Sequence, residues 1–139
     1  MNGRLPRALS ALLAITMGGN GVVMLAAGQW WYGAVPGVTM TGPFNAHFVK
    51  DIGAAYLVTG LAFAGLALRP TAFWRGAAAA GALFLTLPAG IHLAEAVNDP
   101  MGLAHLTRDF AGVILPALIA VWACFPYASQ ETRHAQEPA

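Results

Sequence analysis

Apolar positions in this chain come in four long runs, Ala8–Gly28, Ile52–Leu68, Gly76–Leu93 and Phe110–Tyr127, and no Asp, Glu, Lys or Arg interrupts any of them. A helix needs about 20 mostly apolar residues to cross a hydrocarbon layer about 30 Å thick at about 1.5 Å rise per residue. The runs therefore predict four transmembrane helices. A membrane barrel would alternate polar and apolar residues instead, and these runs do not. The expected fold is an all-α polytopic bundle, with residues 1–128 as one membrane domain and 129–139 as a short, unordered cytoplasmic tail.

Composition agrees with that picture and narrows it. Hydrophobic residues make up 58% of the 139 positions and charged ones 9%, where a soluble domain carries about a quarter charged residues. The formal charge is +1, so there is no basic surface on which to hold nucleic acid. Cys124 is the single cysteine, which excludes an internal disulfide and a thiolate metal site. It reads as a small packing residue near the inner end of the last span. No phosphate-binding loop, nucleophile elbow or dinucleotide fingerprint occurs.

The charges fall in the gaps between runs, where Lys and Arg set orientation. Arg4, Arg7, Arg69, Arg75 and Arg133 belong to one side, and Lys50 and Arg108 to the other with Asp51, Glu95, Asp99 and Asp109. Both termini are thus expected in the cytoplasm of a bacterial cell, in its inner membrane. Trp30, Trp31, Tyr32, Phe44 and Phe48 supply aromatic anchors outside, and Phe73, Trp74, Phe125 and Tyr127 inside. An alternative makes the first run a signal peptide cleaved near Ala26-Ala27-Gly28.

Two segments repeat. His47-Phe48-Val49-Lys50-Asp51-Ile52-Gly53 and His105-Leu106-Thr107-Arg108-Asp109-Phe110-Ala111 share H-x-x-[KR]-D-[IF]-[GA], each copy opening an even-numbered span. The chain reads as two helix–loop–helix halves in parallel. Glycines recur through the spans (Gly18, Gly19, Gly21, Gly53, Gly60, Gly65, Gly76, Gly81, Gly90, Gly112), as expected where helices approach closely in lipid. Pro88 and Pro116 should bend their helices and free the carbonyls of Phe84 and Gly112. Asn20 is expected to hydrogen-bond across to another helix.

Three of the four histidines and four of the six carboxylates map to the outer side. His47 and Asp51 are four apart, as are His105 and Asp109, and His92 and Glu95 are three apart, so each pair shares one side of a helix. If all three pairs point inward, they assemble a candidate metal site of His47, Asp51, His92, Glu95, His105 and Asp109. Imidazoles and carboxylates without thiolate suit iron, copper, zinc or manganese. Alternatively, Asp51 and Asp109 orient the histidines without touching the metal. Non-covalent haem and a quinone, the latter beside Trp30-Trp31-Tyr32, rank below a metal. The competing reading is structural, with Asp51 and Asp109 in the first turn of a helix, where a carboxylate satisfies free N–H groups. His134 belongs to the solvated tail.

Pro36-Gly37, then Gly42-Pro43, then Asp51-Ile52-Gly53-Ala54-Ala55-Tyr56-Leu57 resembles the DoxX-like group of small four-helix bacterial membrane proteins. The resemblance implies the four-span plan. Some members of that group are similar to small subunits of membrane oxidoreductases that use quinone. No site residue is carried over from it.

Two functions follow as expectations. One is an outer-face metal centre for redox or metal-handling chemistry. The other is a non-catalytic accessory or assembly subunit of a larger membrane complex or homo-oligomer, with the polar cluster as a structural network. A proton-coupled transporter is disfavoured because no carboxylate lies at mid-membrane.

Overall fold

The computed structural model describes residues 4–134, and their side chains as far as Cys124. Among these residues the chain is helical, with no strand. Helix α1 spans Arg4–Ala34, α2 Ala46–Leu68, α3 Ala72–Asn98, α4 Gly102–Asp109 and α5 Leu115–His134. A single 3₁₀ turn, Val38–Met40, interrupts the first long loop, and a π-helical segment, Phe110–Ile114, joins α4 to α5. Four stretches are long and apolar enough to cross a membrane: Arg4–Ala34, Ala46–Leu68, Ala72–Asn98 and Gly102–Cys124. The expected four-span plan therefore stands. The expectations for Phe125, Tyr127, Arg133 and His134 concern side chains outside the described ones, and residues 135–139 lie outside the described residues altogether.

The helices pack as a ring. α1 lies against α2, α2 against α3, α3 against α5 and α5 against α1, and the two diagonal pairs do not approach among the described residues. The α1–α2 contact is the most extensive, and glycine is the reason. A Cβ at Gly21 would stand 2.5 Å from Leu57 N, and one at Gly60 would stand 2.5 Å from Gly18 Cα. Those separations are below any real carbon contact, so the two backbones touch where a side chain would hold them apart. By contrast, Gly19, Gly76, Gly90 and Gly112 face open space.

Between the helices sits a narrow core. Leu13, Met17, Phe63, Leu66, Ala78, Ala82, Leu85, Ala89, Ala117, Ala120 and Ala123 are buried together. Alanine supplies most of the α3 and α5 contribution, which keeps those helices close. Tyr56 meets Phe84 edge-on at 5.3 Å between ring centroids, joining α2 to α3.

Four hydroxyls within the spans bond their own helix. Ser10 donates to the Pro6 carbonyl at 2.8 Å, Thr16 to Leu12 at 2.9 Å, Thr86 to Ala82 at 2.7 Å and Thr107 to Leu103 at 2.8 Å. Each reaches back one turn, the local option open to a hydroxyl in a helix. Asn45 caps α2, its Oδ1 accepting from the backbone N–H groups of His47 and Phe48 at 3.1 Å, and Thr71 caps α3 by accepting from Trp74 N–H.

Two irregularities bend the bundle. Ala27 has non-helical dihedrals, φ −139° and ψ 43°, inside α1. Across this kink the Trp31 indole N–H donates to Asn20 Oδ1 at 2.8 Å. Eleven residues of straight helix would set the two about 16 Å apart along the axis, so the kink is what closes the bond. Asn20 thus pairs within α1, not with another helix. The Trp31 indole N–H is thereby used within α1 and its side chain is partly buried, while Trp30 remains 67% exposed. Ahead of Pro116, the N–H of Leu115 reaches the Phe110 carbonyl five residues back. The wider turn accommodates a residue with no N–H of its own. α3 runs through Pro88 without interruption.

The contrast among glycines yields a measurable difference. Gly60→Ala should lower stability by about 1–3 kcal/mol through overpacking against Gly18. Gly19→Ala, facing open space, should be neutral or stabilising by up to about 1 kcal/mol, since alanine is the better helix residue. Thermal unfolding of both variants in detergent checks the ordering.

Candidate functional site

All the outer charges anticipated from the sequence lie at one end of the ring, the end bearing the 35–45 and 99–101 loops. Arg4, Arg7, Arg69 and Arg75 lie at the other. The loop-end residues do not converge on one point. They resolve into separate pairs, and two pairings differ from those that spacing along a helix implies.

The best enclosed group is Asp109, whose side chain is 10% exposed. Its Oδ2 accepts from His92 Nδ1–H at 2.8 Å. Arg108 binds the same carboxylate in a fork, Nε to Oδ1 at 2.6 Å and Nη2 to Oδ2 at 3.0 Å. The carboxylate thereby ties the C-terminal end of α3 to the junction of α4 and the π segment. Arg108 also reaches the first half of the chain. Its guanidinium lies 3.7 Å from Met40 Sδ and covers Gly37, where a Cβ would stand 2.7 Å from Arg108 Cζ. Gly37 has φ +85°, so both the backbone conformation and the guanidinium above it call for glycine. On the same loop, the Tyr32 hydroxyl donates to the Gly42 carbonyl and its ring meets Phe44 edge-on.

His105 pairs with Asp99, not Asp109, through Nδ1 and Oδ2 at 2.8 Å. Asp99 also accepts from Met101 N–H at 2.8 Å through Oδ1, closing the turn that Asn98-Asp99-Pro100 announces. His47 and Asp51 do pair as their spacing implies, at 3.6 Å, but with side chains 90% and 63% exposed. A pair so exposed contributes little. Glu95 is exposed and has no hydrogen bond or ion pair among the described residues, so the expected His92–Glu95 pair does not form.

The first-turn role expected for Asp51 and Asp109 also fails. α2 begins at Ala46, a turn earlier than Asp51, and Asn45 does the capping. Asp109 closes α4 instead of opening a helix, because the fourth span starts at Gly102. The two repeat copies therefore occupy unlike positions: Lys50-Asp51 faces solvent, and Arg108-Asp109 is folded against α3 and the first loop.

Among the described residues no group of three or more His, Cys, Asp or Glu is placed to hold a metal ion. What the geometry offers is two histidine–carboxylate dyads. An ionised carboxylate only accepts hydrogen bonds, so Nδ1 carries a proton in both, and in the neutral imidazole Nε2 keeps its lone pair. Each Nε2 is a base or a single donor atom. Asn45, an Asn before the first helical residue, is not among the residues the sequence singles out, and Asp99, placed with the outer charges but outside the candidate metal set, is the one that holds His105.

Compared with known protein families, characterised proteins and solved structures, the chain matches none.

Asp109 and Asp51 should respond differently to truncation. Asp109→Ala leaves two polar partners behind and should cost about 2–3 kcal/mol. Asp51→Ala should leave unfolding unchanged within error. Denaturant unfolding of the two variants in one detergent measures the difference.

Proposed function

We propose that this chain is a multi-pass protein of the bacterial inner membrane, with both termini cytoplasmic, and that it serves as a non-catalytic accessory or assembly subunit of a larger membrane complex. One observation carries this reading: the two histidine–carboxylate dyads at the loop end fasten one segment to another. Asp109 with His92 and Arg108 joins α3, α4 and the first loop, and Asp99 with His105 fixes the turn before α4. Such a network stiffens one rim of the bundle. The orientation rests on Arg4, Arg7, Arg69 and Arg75 sharing the end opposite the acidic residues. Outward-facing Gly76, Gly90 and Gly112 leave backbone open to the helices of another chain. The resemblance to DoxX-like proteins agrees with a small-subunit role.

A second reading retains a transition metal. It is favoured by the dyads themselves, since a carboxylate on one imidazole nitrogen commonly orients a histidine whose other nitrogen binds metal. Under that reading Nε2 of His92 or His105 supplies a ligand, and a partner chain supplies the rest.

Purification in a mild detergent tests both. The expected result is substoichiometric iron, copper, zinc and manganese, before and after titration with each metal, and co-migration with other membrane proteins. Stoichiometric metal that disappears in His92→Ala, with helicity retained, would replace the first reading by the second. A chain that carries neither metal nor companions would overturn the assembly role.

A further inference from the structure

The glycine contact between α1 and α2 sets the relative height of the two helices as well as their separation. A Cβ at Gly60 would stand 2.5 Å from Gly18 Cα, so these residues share one level, and the helices run in opposite directions. From that level Arg7 lies eleven residues back along α1, about 16 Å, and Arg69 nine residues on from Gly60, about 14 Å. The two arginines thus reach nearly the same depth at the end away from the loops. They also share a side. Arg7 continues the row of Ala14, Gly18 and Gly21 at helical spacing, and that row meets α2, with Gly21 against Leu57 and both Gly18 and the Ala14 carbonyl against Gly60. Arg7 therefore stands over the α1–α2 seam, and Arg69 ends the other helix of that seam.

Both side chains are exposed, and neither makes a hydrogen bond or ion pair among the described residues. Arg75, by contrast, donates from Nη1 to the Pro70 carbonyl at 2.9 Å. The carboxylates with described side chains, Asp51, Glu95, Asp99 and Asp109, are all at the loop end. Two permanent cations thus share a corner to which the described residues bring no anion, and a guanidinium matches phosphate through two parallel N–H bonds. Depth selects the source of that phosphate. Arg7 immediately precedes the apolar run Ala8–Gly28, and Arg69 immediately follows Ile52–Leu68. Both guanidiniums stand at the edge of the hydrocarbon, the level of lipid headgroups. Leu68, 79% exposed, offers an acyl chain apolar surface beside Arg69.

We infer that the α1–α2 seam, at the end away from the loops, binds the headgroup of an anionic phospholipid, with Arg7 and Arg69 taking its phosphate. This rests on the membrane-spanning reading proposed above and not on the assembly role. The test reconstitutes the full-length protein into vesicles of equal parts phosphatidylethanolamine, whose ammonium offsets its own phosphate, and phosphatidylglycerol, whose charge is uncompensated. Flotation with the vesicles reads membrane insertion, and native mass spectrometry after mild detergent extraction counts the retained lipids. Phosphatidylglycerol should be retained several-fold over phosphatidylethanolamine. Arg7→Gln and Arg69→Gln should each lower that preference by about fivefold, and the double variant should abolish it with helicity unchanged. Lys50→Gln, at the loop end, should leave it intact. Should one arginine variant not fold, the other decides. A protein that floats but retains the two lipids equally, or whose preference survives the double variant, would overturn the site while leaving the membrane reading in place. Displacement of the lipid by millimolar inorganic phosphate would replace the lipid with a free anion and overturn it too. Failure to float would overturn the membrane reading and the site together.

Discussion

Inside the hydrocarbon layer a backbone N–H or carbonyl has no water to bond, and every such group must find its partner within the protein. Much of this structure answers that single requirement. The chain is helical across four stretches, and the four hydroxyls recorded above fold back on a carbonyl of their own helix. At Ala27 the chain kinks, and across the kink two polar side chains satisfy each other, the Asn20 amide oxygen accepting from the indole N–H of Trp31. Before Pro116 the ladder widens to five-residue spacing, which accommodates a residue unable to donate. The caps at Asn45 and Thr71 do the same work where spans begin.

Lipid is as apolar as the side chains it meets, so burying leucine against leucine supplies little drive for helices to associate, and close packing must supply it. The contact of Gly18 and Gly21 with Gly53, Leu57 and Gly60 brings two backbones together. α3 and α5 meet through alanine. Bulky residues such as Val58, Leu61 and Leu83 point outward instead. That inversion relative to a soluble bundle leaves a thin core.

The polar end shows how far helix periodicity reaches as a guide. Spacing places His47 and Asp51 on one face, and they do meet, yet in the open where the contact has little effect. The pairs with greater enclosure cross between segments: His92 to Asp109 over seventeen positions, and Arg108 to Met40 over 68 and to Gly37 beside it. The halves repeat in sequence but not in environment. The first loop is long enough to fold over Arg108, while the second is a tight turn closed by Asp99.

The sequence by itself determined the number of spans, their helical character, the segregation of charge to opposite ends and the importance of small residues. These follow from local composition and from the bilayer's demand that backbone groups be satisfied. Only the tertiary structure decided which carboxylate meets which histidine, that Asn20 turns inward to its own helix, and that the fourth span begins at Gly102. Those outcomes depend on helix rotation, on the kink at Ala27 and on the path of the 35–45 loop. The pairing of Asp109 with His92 and the cover of Arg108 by the first loop are set by contacts between residues far apart in the chain, for which no local pattern carries a signal.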